Sequence, residues 1–309
     1  MENKSLYYLT INVTNKCNLA CKHCYDSSDK CFGNDLNLNV IKKTLKEAKS
    51  LGLVSVLITG GEPFLRKDLE KILHYSKSLN LKVFLATNGT LLDKKNIKFI
   101  KKYVDKINIS LDGVSKFHDM IRGRKGLFKE TLDKINKIIQ EEIPLSISFT
   151  AQDNNYFQIE ELVNYLNKKG ILENNFLNIK RFINIGRGLK NNLDLSKKNY
   201  FNVVKIVEKL KKDGINISFK DPLYSLKFGR GYGCYAGIHI LSIKNTGDVW
   251  ICTKVEKSLG NIKEDSLINI WNNSDILRNL REKSNETIKG CRAAAYAFSG
   301  DLFSKDPIF

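Results

Sequence analysis

Between residues 7 and 219, short runs of apolar and β-branched positions alternate with longer lysine-rich stretches in which apolar residues recur every three or four positions. The short runs fall at 8–13, 53–59, 81–87, 106–111, 145–150 and 177–183, each of strand length. Between them Leu69, Ile72 and Leu73, and later Leu132, Ile135, Ile138 and Ile139, mark one apolar stripe on a helix. Six strand-then-helix units predict an α/β fold with a parallel sheet, since parallel neighbours need a crossover that a helix supplies.

The residues that follow these strands carry the polar chemistry. Cys17 comes after the first run, Thr59-Gly60-Gly61-Glu62-Pro63 after the second and Thr87-Asn88-Gly89 after the third. Ser110, Asp112 and Gly113 end the fourth, Thr150 the fifth, and Gly186-Arg187-Gly188 follows the sixth. In parallel α/β folds ligands bind beyond the carboxyl ends of the strands, so these six loops can face one cavity.

Past residue 219 the pattern changes. A glycine-rich stretch, Gly229-Arg230-Gly231-Tyr232-Gly233-Cys234, leads into two β-rich runs, 238–243 and 249–252, around the turn Asn245-Thr246-Gly247-Asp248, which predicts a hairpin. Short helices are expected over 266–271 and 275–283. The chain therefore divides into 1–219 and 220–309, with neither an internal repeat nor a low-complexity linker between them.

Charge changes this picture little. The 309 residues carry a formal net charge of +18, but the lysines are spread over helical stretches as solvated faces are, with an acidic-partner surface as the alternative. A non-enzymatic nucleic-acid binder is disfavoured by the scarcity of arginine or aromatic clusters. No apolar run is long enough to span a membrane and no signal segment opens the chain, which predicts a cytoplasmic protein. In that reducing compartment seven cysteines read as metal ligands or catalytic groups rather than disulfides.

Three of them, Cys17, Cys21 and Cys24, have a C-x3-C-x2-C spacing. Zinc would need His23 as fourth ligand, pointing inward beside Cys24 from a two-residue gap, which is strained. Three thiolates on a four-iron cluster leave one iron open to an exogenous ligand, which suits the spacing better. With that spacing the chain resembles the radical S-adenosylmethionine (radical SAM) superfamily, His23 standing where the family commonly has an aromatic ring. The resemblance implies a partial (β/α)6 TIM-like barrel, a [4Fe-4S] cluster on Cys17, Cys21 and Cys24, and SAM chelated to the open iron. It implies reductive cleavage of SAM to a 5′-deoxyadenosyl radical that takes hydrogen from a substrate, the side chains orienting the cofactor and excluding water. Gly60, Gly61, Glu62 and Pro63 match the motif that receives the SAM amino group. Thr87 and Asn88 match the stretch beside the ribose, and Ser110 and Asp112 the fourth-strand motif. Arg122 offers a cation for the SAM carboxylate.

The spacing of Cys234, Gly247 and Cys252 resembles the opening of the SPASM and twitch domains, which hold auxiliary iron–sulfur clusters; Gly290-Cys291-Arg292-Ala293 and Asp306-Pro307 resemble the SPASM closing part. A full SPASM domain has more cysteines than these, and the chain has Phe309 where the pattern usually places the last one. The resemblance thus implies a single second cluster on Cys234, Cys252 and Cys291, with the loss of metal and retention of three buried thiols as the alternative. Cys31 matches no cluster position; it is either structural or a hydrogen donor to a substrate radical.

The enzymes so resembled act mostly on peptides and proteins, by cross-linking, epimerisation or oxidation, and a second group acts on tetrapyrroles in haem formation. A ribosomally made peptide is the leading expectation, haem biosynthesis the alternative. The barrel begins by Tyr8, so a peptide would need a separate leader-binding carrier or direct capture. Flavodoxin or ferredoxin is the expected electron donor.

Overall fold

In the computed structural model, which describes residues 5–28, 35–191, 193–228, 233–283 and 290–309, the alternating runs become strands with two unlike faces. Strands β1 (Tyr8–Asn12), β2 (Ser55–Thr59), β3 (Lys82–Thr87), β4 (Lys106–Ser110), β5 (Leu145–Ala151) and β6 (Phe176–Arg181) lie side by side in sequence order, all parallel. The crossovers are α1 (Leu38–Ser50), α2 (Leu69–Ser78), α3 (Lys94–Tyr103), α4 (Lys116–Arg122) with α5 (Leu127–Gln140), and α6 (Gln158–Lys168).

Period-two alternation sorts the side chains. Leu9, Ile11, Val56, Ile58, Val83, Leu85, Ile107 and Ile109 are fully buried among the helix stripes. Their neighbours in sequence, Thr10, Leu57, Ala86, Asn108, Ser110, Ser148, Thr150 and Lys180, share the other face and line a cavity. Burying the first set supplies the hydrophobic stabilisation, roughly 1.5–3 kcal/mol per large side chain. The second set leaves the barrel interior polar enough to bind something.

The sheet exceeds the six expected units. After α7 (Lys197–Lys212), the short β7 (Ile217–Phe219) joins β6 in parallel. After α8 (Pro222–Phe228), β8 (Ile240–Ile243) pairs in parallel with β1, Tyr8 opposite Ile240 and Ile11 opposite Ile243. Strands β9 (Asp248–Trp250) and β10 (Ser258–Asn261) continue antiparallel, completing the order β10-β9-β8-β1-β2-β3-β4-β5-β6-β7. The expected hairpin is therefore present, and it covers the free edge of the first strand. Among the described residues β7 and β10 are the edges, so the barrel is partial.

Three helices finish the chain: α9 (Leu267–Asn273), α10 (Asp275–Glu282) and α11 (Arg292–Ser299). Ser266 and Ser274 cap the first two by accepting from Asn269 N and Leu277 N. The last was not expected as a helix; it starts directly after Cys291 and ends at Gly300, whose φ of +74° is the usual left-handed stop.

Candidate functional site

The strand ends converge as their spacing requires. A cavity of about 260 Å³ lies beyond them, and Cys17, Cys21, Cys24, Gly60, Gly61, Thr87, Asn88, Ser110 and Arg122 all line it. A wider groove of about 590 Å³, walled by lysines such as Lys94, Lys98 and Lys137 of α3 and α5, contains none of these groups. The chemistry therefore belongs to the smaller cavity.

The cysteine loop is held by neighbouring backbone and by arginine and lysine side chains rather than by its own secondary structure. Gly61 N and Glu62 N donate to Thr14 O and Lys16 O at 2.8 and 2.7 Å. That approach explains the glycine pair: a Cβ at Gly60 would stand 2.5 Å from Thr14 O and one at Gly61 2.3 Å from Lys16 O. From the far side Arg187 N donates to Cys24 O at 3.0 Å, while its guanidinium donates to Cys21 O at 3.0 Å and Ser28 O at 2.7 Å. Gly186, at φ +58°, has no room for a side chain beside Tyr25 O and Cys24 O. Arg66 adds bonds to Val13 O and Leu36 O at 2.7 and 2.8 Å. Lys244, on the turn after β8, pairs with Asp26, so the hairpin braces the same loop.

Glu62 is fully buried and does not line the cavity. Its carboxylate accepts from Thr87 Oγ1 at 2.8 Å, Asn88 N at 2.9 Å and Phe64 N at 3.3 Å, tying the loop after β2 to the loop after β3. Burial pushes its carboxyl up to about 7 despite those donors. Pro63 opens the short 3-10 turn that Glu62 caps. Asn88 reaches the cysteine loop itself: its Nδ2 donates to Asn18 Oδ1 at 2.9 Å and lies 4.0 Å from Cys17 Sγ.

Asp112 is likewise buried behind the wall, where it organises charge. Its Oδ2 is 2.6 Å from both Nε and Nη2 of Arg122, and its Oδ1 accepts from Thr150 N at 2.7 Å. Burial alone would raise its carboxyl, but Arg122, then His23 and His118, hold it below the usual range. Arg122 presents its remaining nitrogen to Cys21, with Nη1 3.8 Å from Sγ. His23 Nε2 lies 3.6 Å from Asp112 Oδ2, and burial pushes the imidazole down to about 4, so it is neutral at pH 7.

The residues fit an iron–sulfur cluster. Burial pushes the Cys17 thiol up to about 12 and the Cys21 thiol up as well, so these thiols ionise only when a cation replaces the proton. The donors already in place, Asn88 on Cys17 and Arg122 on Cys21, are aimed at sulfur.

Cys234, Cys252 and Cys291 gather in the C-terminal part. None is in a disulfide, and burial pushes all three thiols up, each also feeling the charge of one of the others. Arg292 donates to Cys234, yet its Nε and Nη2 are buried with no hydrogen-bond partner. A buried guanidinium short of acceptors beside the Cys234 thiol fits an anionic cluster there. Cys31 lies outside the described residues.

Sequence reasoning missed several of these groups. Arg187, Arg66, Lys180 and Lys254 carry no motif; only the position of Gly186-Arg187-Gly188 after a strand hinted at the first. The link between the two cysteine sets was also hidden. Arg181 pairs with Asp306 through Nη1 and Nη2 at 2.9 and 2.5 Å, and Asp306 accepts from Cys291 N at 2.8 Å.

Comparison with known proteins agrees with this geometry. The sequence profile of the Radical SAM superfamily matches residues 11–170, and that of SPASM, an iron–sulfur cluster-binding domain, matches residues 234–293. The AdoMet-dependent heme synthase of Methanosarcina barkeri is 27% identical over 96% of this chain and 93% of its own length. The sporulation killing factor maturation protein SkfB of Bacillus subtilis is 25% identical over 87% of this chain, which spans 65% of that relative. Among solved structures, SuiB of Streptococcus suis bound to S-adenosylmethionine superposes with a TM-score of 0.81 at 18% identity, over 99% of this chain and 77% of SuiB. The chain belongs to the radical SAM superfamily. It is an enzyme whose cofactors are SAM and a [4Fe-4S] cluster, with a SPASM domain of the kind that binds auxiliary iron–sulfur clusters. Among the described residues no helix is long and apolar enough to cross a membrane.

Proposed function

We propose that this enzyme modifies a ribosomally made peptide or protein, abstracting hydrogen from one of its residues. The observation that carries this reading is likeness to peptide-maturation enzymes: SkfB of Bacillus subtilis, a maturation protein by name, matches over 87% of this chain, and the subtilosin biosynthesis protein AlbA of the same organism is 29% identical over 95% of it.

When bound, the cluster and SAM together supply reductive cleavage of the sulfonium and a 5′-deoxyadenosyl radical. In this reading Cys17, Cys21 and Cys24 hold the first cluster and Cys234, Cys252 and Cys291 the second. The backbone of Gly60 and Gly61, which lines the cavity, would receive the SAM ammonium, and Glu62, buried behind it, would hold that backbone in place. Ser110 and Arg122 serve the SAM carboxylate, and Thr87 and Asn88 the ribose side. Asp112 keeps Arg122 in place and His23 stays neutral beside them. Residues 1–219 would form the catalytic unit and 220–309 the auxiliary one, with flavodoxin or ferredoxin as electron source.

The second reading, action on a tetrapyrrole, is favoured by the heme synthase relative, which matches along 93% of its length. Anaerobic enzyme with SAM and dithionite is to be offered peptides encoded beside its gene and, separately, an iron porphyrin bearing propionates. A mass change in a peptide supports the proposal; a changed porphyrin with untouched peptides overturns it.

A further inference from the structure

Two amines in the cavity have no role in the chemistry above. Lys180 sits at the carboxyl end of β6, opposite Thr150 of β5 in register, and its side chain is on the cavity face. Its neighbour Arg181 turns the other way, into the bridge with Asp306. Lys254, two residues beyond Cys252, enters the same cavity beside Thr253, Phe182 and Ile183.

The wall is charged in one sense only. Among the described residues that line it there are three permanent or near-permanent cations, Arg122, Lys180 and Lys254, and no carboxylate. Arg122 is neutralised from behind by Asp112 and is turned to Cys21. Neither lysine is ion-paired to a described carboxylate within 4 Å; Lys254 Nζ donates to the carbonyl oxygen of Arg181 at 3.2 Å. Burial, and then the charge of Lys254, pushes the Lys180 amine down to about 8. Lys254 is also within electrostatic reach of Cys252 and Cys291 and Lys180 of Asp112 behind the wall, but among the described residues no anion stands between the two amines inside the cavity, where two ammonium groups are costly without one.

We propose that Lys180 and Lys254 form a carboxylate-recognition site for the substrate, holding an acidic side chain or a chain-terminal carboxylate next to the position that loses hydrogen. The proposal rests on the reading that the substrate reacts in this cavity. A peptide glutamate or aspartate and a tetrapyrrole propionate share this chemistry, and the wall of β6 with Phe182 and Ile183 offers either one an apolar flank. In the reading above Ser110 and Arg122, on β4 and its following helix, are the groups given to the SAM carboxylate, which leaves the two lysines for a second anion.

The test uses holoenzyme reconstituted anaerobically and saturated with SAM. Labelled pools of short synthetic peptides with a fixed central glutamate or glutamine are compared by fluorescence anisotropy, and an iron porphyrin bearing propionates is compared with its methyl ester by absorbance. Wild type, Lys180→Met, Lys254→Met and Lys180→Arg are measured, with iron content and SAM affinity determined for each. We expect wild type to prefer the acidic pool by about tenfold or more, the range of a charge-assisted hydrogen bond. Lys180→Met and Lys254→Met should each remove most of that preference with SAM affinity and iron content unchanged, and Lys180→Arg should restore part of it. Should discrimination occur only with the porphyrin and its ester, the carboxylate site stands and the peptide reading falls. Equal binding of acid and amide or ester in both series overturns the proposal. So does a Lys180→Met variant that loses SAM or iron by a similar factor, since the lysine would then serve the cofactors.

Discussion

Replacing Asp306 by alanine isolates the contact that joins the barrel to the second cysteine set. Asp306 is 3% exposed and Arg181 4%. The aspartate takes both terminal nitrogens of Arg181, caps the Cys291 amide at 2.8 Å and accepts from Ile308 N at 3.0 Å. Arg181 then keeps the face of the Tyr200 ring and Asp221, whose Oδ2 lies 3.0 Å from Nε but off the hydrogen-bond axis, while Tyr200 holds the other oxygen of Asp221 at 2.8 Å. Removing one partner from a buried pair costs about 3–5 kcal/mol; Asp221 still faces Arg181, but both terminal nitrogens are left without their acceptors away from water. In a chain of this size that corresponds to a fall of roughly 6–10 °C in Tm, at about 2 °C per kcal/mol. Anaerobic calorimetry on apo and reconstituted protein measures it directly. Arg181→Met added to Asp306→Ala should cost little more, since it removes the guanidinium nitrogens left without acceptors, while Asp221 keeps Tyr200 OH, Leu223 N and Tyr224 N as donors. A fall below about 2 °C for Asp306→Ala, or full additivity of the two changes, would refute the reasoning.

Three further outcomes are expected. Gly61→Ala drives a Cβ toward Lys16 O, 2.3 Å away, and should lower iron loading at Cys17, Cys21 and Cys24 while leaving far-ultraviolet circular dichroism unchanged. Arg187→Ala removes the guanidinium bonds to Cys21 O and Ser28 O; bound iron should then be lost to a chelator several times faster than from wild type. Lys180→Met bears on pH. The folded amine titrates at about 8, below its usual 10.5, so the unfolded chain binds more protons between those values and wild-type stability rises with pH across that window. The apo Lys180→Met variant should therefore be the more stable protein at pH 7, with its advantage shrinking toward pH 10 in thermal melts.

Much of the barrel was legible because its strands obey period-two alternation and its helices carry a single apolar stripe. Val56 and Ile58 faced the helices as their spacing required, and Cys17, Gly60, Thr87 and Ser110 reached one cavity because all follow parallel strands. What stayed hidden depends on long-range pairing. The run 240–243 reads as half of a hairpin, and nothing local reveals that its other edge binds β1 in parallel. β7 spans only Ile217–Phe219, too short for periodicity to register. The motif residues Glu62 and Asp112 were legible as part of the site, yet their carboxylates lie behind the cavity wall and fix its loops. Lysines are spread so widely over helical surfaces that Lys180 gave no signal; only its place on the inner face of β6 sets it apart. Asp306 looked like the remnant of a cluster motif, whereas the fold uses it to seat Cys291 against Arg181.

Two iron–sulfur sites on one sheet are the central claim, and counting the metal tests it most directly. Iron and acid-labile sulfide are to be determined after anaerobic reconstitution for wild type and for the Cys234→Ala, Cys252→Ala, Cys291→Ala triple variant, with Mössbauer spectra to identify the clusters. The account predicts about eight irons per wild-type chain and about four in the variant, all in cubane form. About four irons in both proteins would contradict it.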